Sequence, residues 1–231
     1  MCGRYALYGP VKLSRRAKAA LDALDLDLVS AVNQREPQYN VAPTHHGLVV
    51  TADPKGVAAQ MFRWGLIPSW AKDAKIGFNT INARVETVGT KPAFRSAFKH
   101  RRCLVPASGY FEWKGEPKVK QPYFIHDPAG ELLLFAGLWE SWHDPKDEAG
   151  RAVHSYTIIV GEAGPVSGQI HDRQPVILAP ETWEDWLRGD IEIAKAALDA
   201  RDITELAYYP VTKAVGNVKS QGEDLVQPIA L

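Results

Sequence analysis

The stretch Arg102-Cys103-Leu104-Val105-Pro106-Ala107-Ser108-Gly109-Tyr110-Phe111-Glu112-Trp113 decides the fold. Two short apolar and aromatic runs flank a Ser-Gly break, which is the grammar of successive strands rather than of a helix. Runs of the same kind lie on both sides: GLVV at 47–50 and VAAQMFRW at 57–64 upstream, PYFIHD at 122–127, LLLFAGLW at 132–139 and HSYTIIV at 154–160 downstream. Around this β-rich centre, residues 11–28 space Leu13, Ala17, Ala20, Leu21, Leu24 and Leu28 at three- and four-residue steps, predicting an amphipathic covering helix. Residues 180–187, with Pro near the start, and 191–200 read as helices, and 206–211 as a last extended segment. No fixed-period repeat, Gly/Ser-rich or Pro-rich linker or composition break divides the chain. The expected fold is α+β: one domain over residues 1–231, built around a curved, mostly antiparallel sheet or open barrel with peripheral helices.

Composition narrows the class. The chain has 231 residues, 45% of them hydrophobic and 23% charged, with 7 Trp, 8 Tyr and 7 Phe, which excludes disordered, collagenous and low-complexity proteins. No apolar run reaches the roughly 18 residues of a membrane span, and MCGRYALYGP lacks the apolar centre of a signal peptide, so a cytoplasmic protein without membrane association is expected. Two cysteines, Cys2 and Cys103, cannot form a disulfide framework, and no CxxC, HxxxH or HExxH spacing offers a metal site. Neither a metal nor a cofactor is expected.

Lys plus Arg and Asp plus Glu balance at 27 each, but unevenly along the chain. Residues 1–60 carry a net +2, residues 61–120 a net +8 and residues 121–231 a net −10. The basic middle contains Phe94-Arg95-Ser96-Ala97-Phe98-Lys99-His100-Arg101-Arg102 and is rich in aromatics. Cations interleaved with flat apolar rings suit a single-stranded nucleic acid, whose phosphates need charge and whose unstacked bases need a surface. The same pattern also describes a solvated charged face over an aromatic core. Three connections, Asn40–Thr44, Trp64–Trp70 and Asn82–Glu86, concentrate Pro, Gly, Trp, Asn and Arg, residues that set special backbone angles or present side chains from loops.

Position 2 carries the sharpest chemistry. Removal of the initiator Met before a small residue leaves Cys2 with a free α-amine beside its thiol. An α-amine titrates at about 7.7–8.0, against about 10.4 for lysine, so much more of it is nucleophilic at neutral pH. It can form a Schiff base with an aldehyde, and the thiol can then close a thiazolidine ring. Alternatively the thiol is the nucleophile and the amine its base, as in N-terminal-nucleophile amidohydrolases. Glu112, between Phe111 and Trp113, is placed to be poorly solvated, with its pKa raised into the range useful for proton transfer, unless strand alternation turns it to solvent. His171, in Ile170-His171-Asp172-Arg173-Gln174-Pro175, follows a Gly-containing loop and has an unperturbed pKa of about 6.5, suited to the same work or to a structural hydrogen bond.

Seven ordered motifs then coincide with one family. Met1–Arg4, Asn40–Thr44, Trp64–Trp70, Asn82–Thr87, Arg102–Trp113, Phe135–Glu140 and His171–Arg173 make the chain resemble the SRAP (SOS-response-associated peptidase) domain proteins, which process abasic sites. The resemblance implies that Cys2 cross-links to the ring-opened aldehyde of an abasic site in single-stranded DNA. It further implies that Asn82 positions the reacting cysteine or sugar, that Glu112 moves protons, and that His171 assists ring opening and reversal of the adduct. Arg4 and Arg84 would hold phosphates, and Trp64 and Trp70 would wedge or stack at the DNA. Abasic single-stranded DNA is the implied partner of a protein expected to be monomeric, with weak lyase activity where an imine fails to close. The rivals are a Cys2 peptidase or amidohydrolase, including removal of its own Met1, and a non-covalent single-strand binding module. Gln174 and Ala71 depart from the family pattern, which has Met and a second Trp at those places.

Overall fold

The computed structural model describes residues 2–116, 119–200 and 206–231. In chain order the strands and helices are β1 (Tyr5–Leu7), α1 (Arg15–Ala23), α2 (Leu28–Asn33), β2 (Gln38–Val41), β3 (His46–Asp53), β4 (Gly56–Trp64), β5 (Asn82–Arg84) and α3 (Arg95–His100). There follow β6 (Arg102–Ala107), β7 (Gly109–Lys114), β8 (Gln121–His126), β9 (Leu133–His143), β10 (Ala152–Glu162), β11 (Arg173–Pro175), α4 (Trp183–Arg188), α5 (Ile191–Asp199) and β12 (Ala207–Pro210).

Every strand-like run of the sequence becomes a strand, and the Ser108 break separates β6 from β7. The strands form two sheets. In the first, β4, β3, β6, β9 and β10 pair in that order, and β10 returns to β4, closing a five-stranded barrel. The closure is the one parallel contact of the ring, Ser155 beside Arg63 and Tyr156 beside Trp64; the other contacts are antiparallel. The second sheet is antiparallel throughout, with order β12-β8-β7-β1-β2.

The expected helix over 11–28 is shorter. Ser14 is extended and its side chain accepts the Ala17 N–H at 3.1 Å, an N-cap that starts α1 one turn later. At the other end Asp25 has φ +51°, which no α-helix accommodates, and Asp27 caps the separate helix α2. Asn82–Arg84, expected within a connection, adds instead as a parallel strand to β10.

β6 is buried on both faces, as a strand covered by the barrel interior and by helices must be. Its outer face takes α3 and α4. Trp186 donates its indole N–H to the Cys103 carbonyl at 2.8 Å, and Arg102 donates to the carbonyls of Phe98, Lys99, Trp186 and Gly189. Arg102 is 5% exposed, so this member of the basic run is an internal clamp on helix ends and is withdrawn from any DNA surface. Arg101 pairs with the buried Glu140 at 2.8 Å.

The second sheet joins the barrel through alternate residues. Tyr5 and Leu7 of β1 and Tyr110 of β7 enter the main core, while Ala6, Phe111 and Phe124 face the other way and pack on Val211, Val215, Leu225 and Val226 of the C-terminal segment. The junction is closed by a buried hydrogen bond between the Tyr5 and Tyr156 hydroxyls, 2.7 Å, with Trp64 edge-on to Tyr5 and stacked on Tyr156. Gly47 makes room for it, because a Cβ there would lie 2.0 Å from the Tyr5 oxygen and 2.3 Å from the Tyr156 oxygen. Among the described residues no helix is long and apolar enough to cross a membrane. Gly47→Ala should therefore force the two tyrosines apart and cost about 1–3 kcal/mol, read as a lower urea midpoint; an unchanged midpoint would show that the junction has slack.

Candidate active site

Cys2 lies three residues before the start of β1, the strand held between β7 and β2, and is fully buried. Its thiol donates weakly to the Arg4 carbonyl, Sγ···O 3.8 Å. Burial, reinforced by the nearby negative charge of Glu112, pushes the thiol pKa well above its usual range. The second cysteine, Cys103, is also buried and unpaired with it.

Glu112 is 3% exposed, so alternation turns it inward rather than to solvent. The reason differs from the one its neighbours suggest. Phe111 packs with the opposite face of the sheet, and Trp113 packs there too. Glu112 shares its face with Tyr110, the residue two before it, and is desolvated by the contact between the second sheet and the barrel side. That burial pushes its carboxyl up to about 7.

His171 is brought to this place by a relay of hydrogen bonds from the same strand. The Tyr110 hydroxyl bonds the Ser167 hydroxyl at 2.7 Å, and the Ser167 carbonyl accepts the His171 N–H at 2.9 Å. Asp172, next to His171, is close enough for its charge to raise the Glu112 pKa. The His171 ring has two options at Nδ1: it lies 3.0 Å from the Arg173 N–H and 2.9 Å from the Asp172 carboxylate. The unprotonated nitrogen accepts from the amide, and the protonated one donates to the carboxylate. The ring can therefore take up or release a proton without moving. Partial burial lowers its pKa, Asp172 opposing, so the neutral base is favoured at neutral pH.

Asn82 opens β5, opposite Ile158 of β10 and just beyond the Tyr156–Trp64 pairing. Its Nδ2 donates to the Ile81 carbonyl at 3.1 Å, which also accepts the Trp64 indole N–H at 2.9 Å. Its Oδ1 is buried and makes no hydrogen bond within the described protein, leaving an acceptor for another group. Downstream, Glu86 pairs with Arg173, tying the segment after β5 to the His171 loop.

Arg4 is half-buried, donating to the carbonyls of Gly3 at 2.7 Å and Gly216 at 3.4 Å; Arg84 is exposed. Trp64 requires a correction. It is fully buried, its indole N–H spent on Ile81 and its ring held by Tyr5 and Tyr156, so it has no face to offer a base. Trp70, by contrast, is 60% exposed.

The two departures from the family pattern have structural accounts. Ala71 is buried against Trp142, whose indole N–H donates to the Ala71 carbonyl at 2.7 Å, so a small residue fits there. Gln174 turns its side-chain oxygen to the Gly164 N–H at 3.0 Å and braces the loop that carries His171. The sequence reading missed Tyr110 and Ser167, and singled out Asn40 only as the start of the Asn40–Thr44 run. Asn40 is fully buried and its Nδ2 reaches the carbonyls of Val215, Asn217 and Ser220 at 3.0–3.2 Å, holding the turn that also receives Arg4. The signal for Tyr110 was its i, i+2 relation to Glu112; nothing local pointed to Ser167. Met1 lies outside the described residues.

The family model described as SOS response associated peptidase (SRAP) matches residues 1–218. Abasic site processing protein YoqW of Bacillus subtilis is 35% identical, covering 98% of this chain and 99% of its own. Abasic site processing protein YedK of Escherichia coli is 33% identical over 99% of this chain and 100% of its own. Abasic site processing protein HMCES of Xenopus tropicalis is 30% identical over 85% of this chain and 67% of its own. Among solved structures, a Bacteroides thetaiotaomicron protein superposes with a TM-score of 0.76 at 26% identity, covering 98% of this chain and all of that one. A phage-related protein of Bordetella bronchiseptica gives 0.67 at 30% identity over 92% and 95%.

The Glu112 carboxyl also sets a pH dependence. A carboxyl raised in the native state stabilises the fold fully below its unfolded pKa of about 4.3, and that contribution is lost as pH rises through the native value. With the native value at about 7, the stability of the wild type relative to Glu112→Gln should fall by up to about 3 kcal/mol across that window, measured by urea unfolding at several pH values. Parallel pH profiles of the two proteins would show that Glu112 titrates normally.

Proposed function

We propose, from the premise that this chain belongs to the SOS response associated peptidase (SRAP) family, that it captures the ring-opened aldehyde of abasic sites in single-stranded DNA as a covalent adduct on Cys2. The observation that carries this reading is the burial of Cys2 beside Glu112, whose carboxyl the same burial pushes up to about 7. The names of the similar proteins, which process abasic sites, support the substrate.

Hydrolytic removal of Met1 exposes the Cys2 amine. The abasic sugar is mostly a closed hemiacetal; His171, neutral and able to accept a proton at Nδ1, takes the hydroxyl proton and passes it to the ring oxygen, which departs as a hydroxyl as the ring C–O bond breaks and the aldehyde forms. The Cys2 nitrogen adds to the aldehyde carbon. One nitrogen proton passes to the former carbonyl oxygen, making a hydroxyl; protonated Glu112 gives its proton to that hydroxyl, which leaves as water, and the Glu112 carboxylate takes the remaining nitrogen proton as the C=N bond forms. The thiol sulfur then bonds to the imine carbon, the thiol proton ends on nitrogen by way of Glu112, and the thiazolidine closes. Asn82 Oδ1, a buried acceptor without a partner among the described residues, is suited to hold a sugar hydroxyl or the amine. Arg84 and Arg4 supply charge to the flanking phosphates, and the protein acts as a monomer.

Burial also discriminates between the two nucleophiles. A thiol pushed above its usual pKa is a poor thiolate source, so the amine attacks first and the thiol second. The peptidase reading needs the reverse order.

Protein of verified N-terminus, mixed with a single-stranded oligonucleotide bearing one abasic site, should give a heat-stable shifted band on a denaturing gel that is missing with base-intact DNA. Cys2→Ala should abolish the band. Cys2→Ser, which can form the imine without closing a durable ring, should convert capture into strand cleavage. A band retained by Cys2→Ala, or no band from protein with a free Cys2, would overturn covalent capture.

A further inference from the structure

The basic run Phe94–Arg102 is only partly used by the fold. Arg101 and Arg102 are engaged inside it, but Arg95, Lys99 and His100 of α3 are exposed and, among the described residues, make no ion pair. With Lys195 of α5 they border a cavity of about 410 Å³ between the two helices. Arg95 and Lys99 stand four residues apart on one face of α3, a like-charged spacing that weakens a helix unless an anion lies between. No acidic residue lines the cavity. The carboxylates at the start of α5 are already engaged: Asp190 accepts the Glu192 and Ile193 N–H groups at 2.9 Å, and Glu192 pairs with Lys195 at 2.8 Å. The Ser96 hydroxyl accepts from Arg101 at 3.0 Å and keeps its own proton to donate.

The walls are fixed from beneath. Buried Arg102 grips the carbonyls of Phe98 and Lys99 at the end of α3 and those of Trp186 and Gly189 at the turn into α5, so the two sides of the cavity hang on one guanidinium. Phe98 and Ile191 contribute apolar lining, and Gly89 leaves it uncovered, since a Cβ there would rest 3.6 Å from the Phe98 ring. The cavity adjoins Arg102, at the opposite end of β6 from the Ser108 break through which the chain passes to Glu112.

The volume is that of a small organic ligand rather than a bare ion. A phosphomonoester carries close to two negative charges on one group and matches clustered cations better than a phosphodiester, which carries one. We propose that this cavity is a second ligand site, for a nucleoside monophosphate, with the phosphate among Arg95, Lys99 and Lys195 and the organic part against Phe98 and Ile191. It shares no residue with the Cys2, Glu112 and His171 site and stands whether or not that site captures aldehydes.

Calorimetric titration of the full chain with AMP and with dTMP tests the assignment, with adenosine, inorganic phosphate and a base-intact single-stranded oligonucleotide as comparisons. At least one monophosphate should bind at one per chain, adenosine should not bind, and inorganic phosphate should bind more weakly. Lys99→Gln and Lys195→Gln should each weaken the monophosphate about tenfold, the loss of a hydrogen bond to a charged group. The Lys99 carbonyl that Arg102 grips belongs to the backbone, so Lys99→Gln without ligand should unfold at the wild-type urea midpoint. Its cross-linking to abasic DNA should equal that of the wild type, and a wild type that forms no cross-link yet binds the monophosphate would remove covalent capture alone. Failure of both AMP and dTMP to bind, equal affinity in wild type and Lys99→Gln, or inorganic phosphate binding as tightly as AMP overturns the nucleotide site. Weaker oligonucleotide binding by Lys99→Gln, with neither monophosphate bound by the wild type, would overturn it in favour of a strand.

Discussion

A three-residue strand at the start of the chain, β1, held between β7 and β2 and bolted to the barrel by the Tyr5–Tyr156 hydrogen bond, is the constraint on which the site depends. N-terminal residues of a domain are ordinarily mobile unless a strand or helix ties them down. Here the tie is made from both sides. Backbone pairing fixes β1 within its sheet, and the buried pair of hydroxyls, admitted by the missing side chain of Gly47, fixes that sheet against the barrel. Cys2 is thereby carried into the core, where a chain terminus would otherwise not go.

The same junction sets the electrostatics. Tyr110 and Glu112 leave β7 on the face that meets the barrel, one anchoring the Ser167 turn and the other desolvated beside Cys2. A single strand thus raises the pKa of a carboxyl and positions the histidine loop. Burial has opposite consequences for the three groups. It keeps the thiol protonated, brings the carboxyl to where it can both give and take a proton near neutrality, and keeps the histidine neutral. These are the protonation states that the proposed condensation and ring closure need.

Charge on this protein is divided between architecture and solvent. Arg102 satisfies four carbonyls at helix ends, and Arg101 satisfies Glu140, so part of the basic run is architecture. Arg84, Lys72 and Lys75 remain in solvent. Sequence-local charge counts cannot make this division, because it depends on which face of β6 the helices cover.

Strand positions and the α+β class were legible in the sequence, as were the identities of the candidate groups Cys2, Glu112 and His171, since apolar runs, breaks and functional groups are local properties of the chain. The helix over 11–28 was overextended because periodicity does not register a cap such as Ser14 or a reversed dihedral such as that of Asp25. Barrel closure by the parallel β10–β4 contact, the inward turn of Glu112, and the burial of Trp64 while Trp70 stays in solvent were decided only in three dimensions. Burial belongs to the assembled sheets and not to any residue, and a tryptophan reads the same in sequence whether its ring closes a core or faces water.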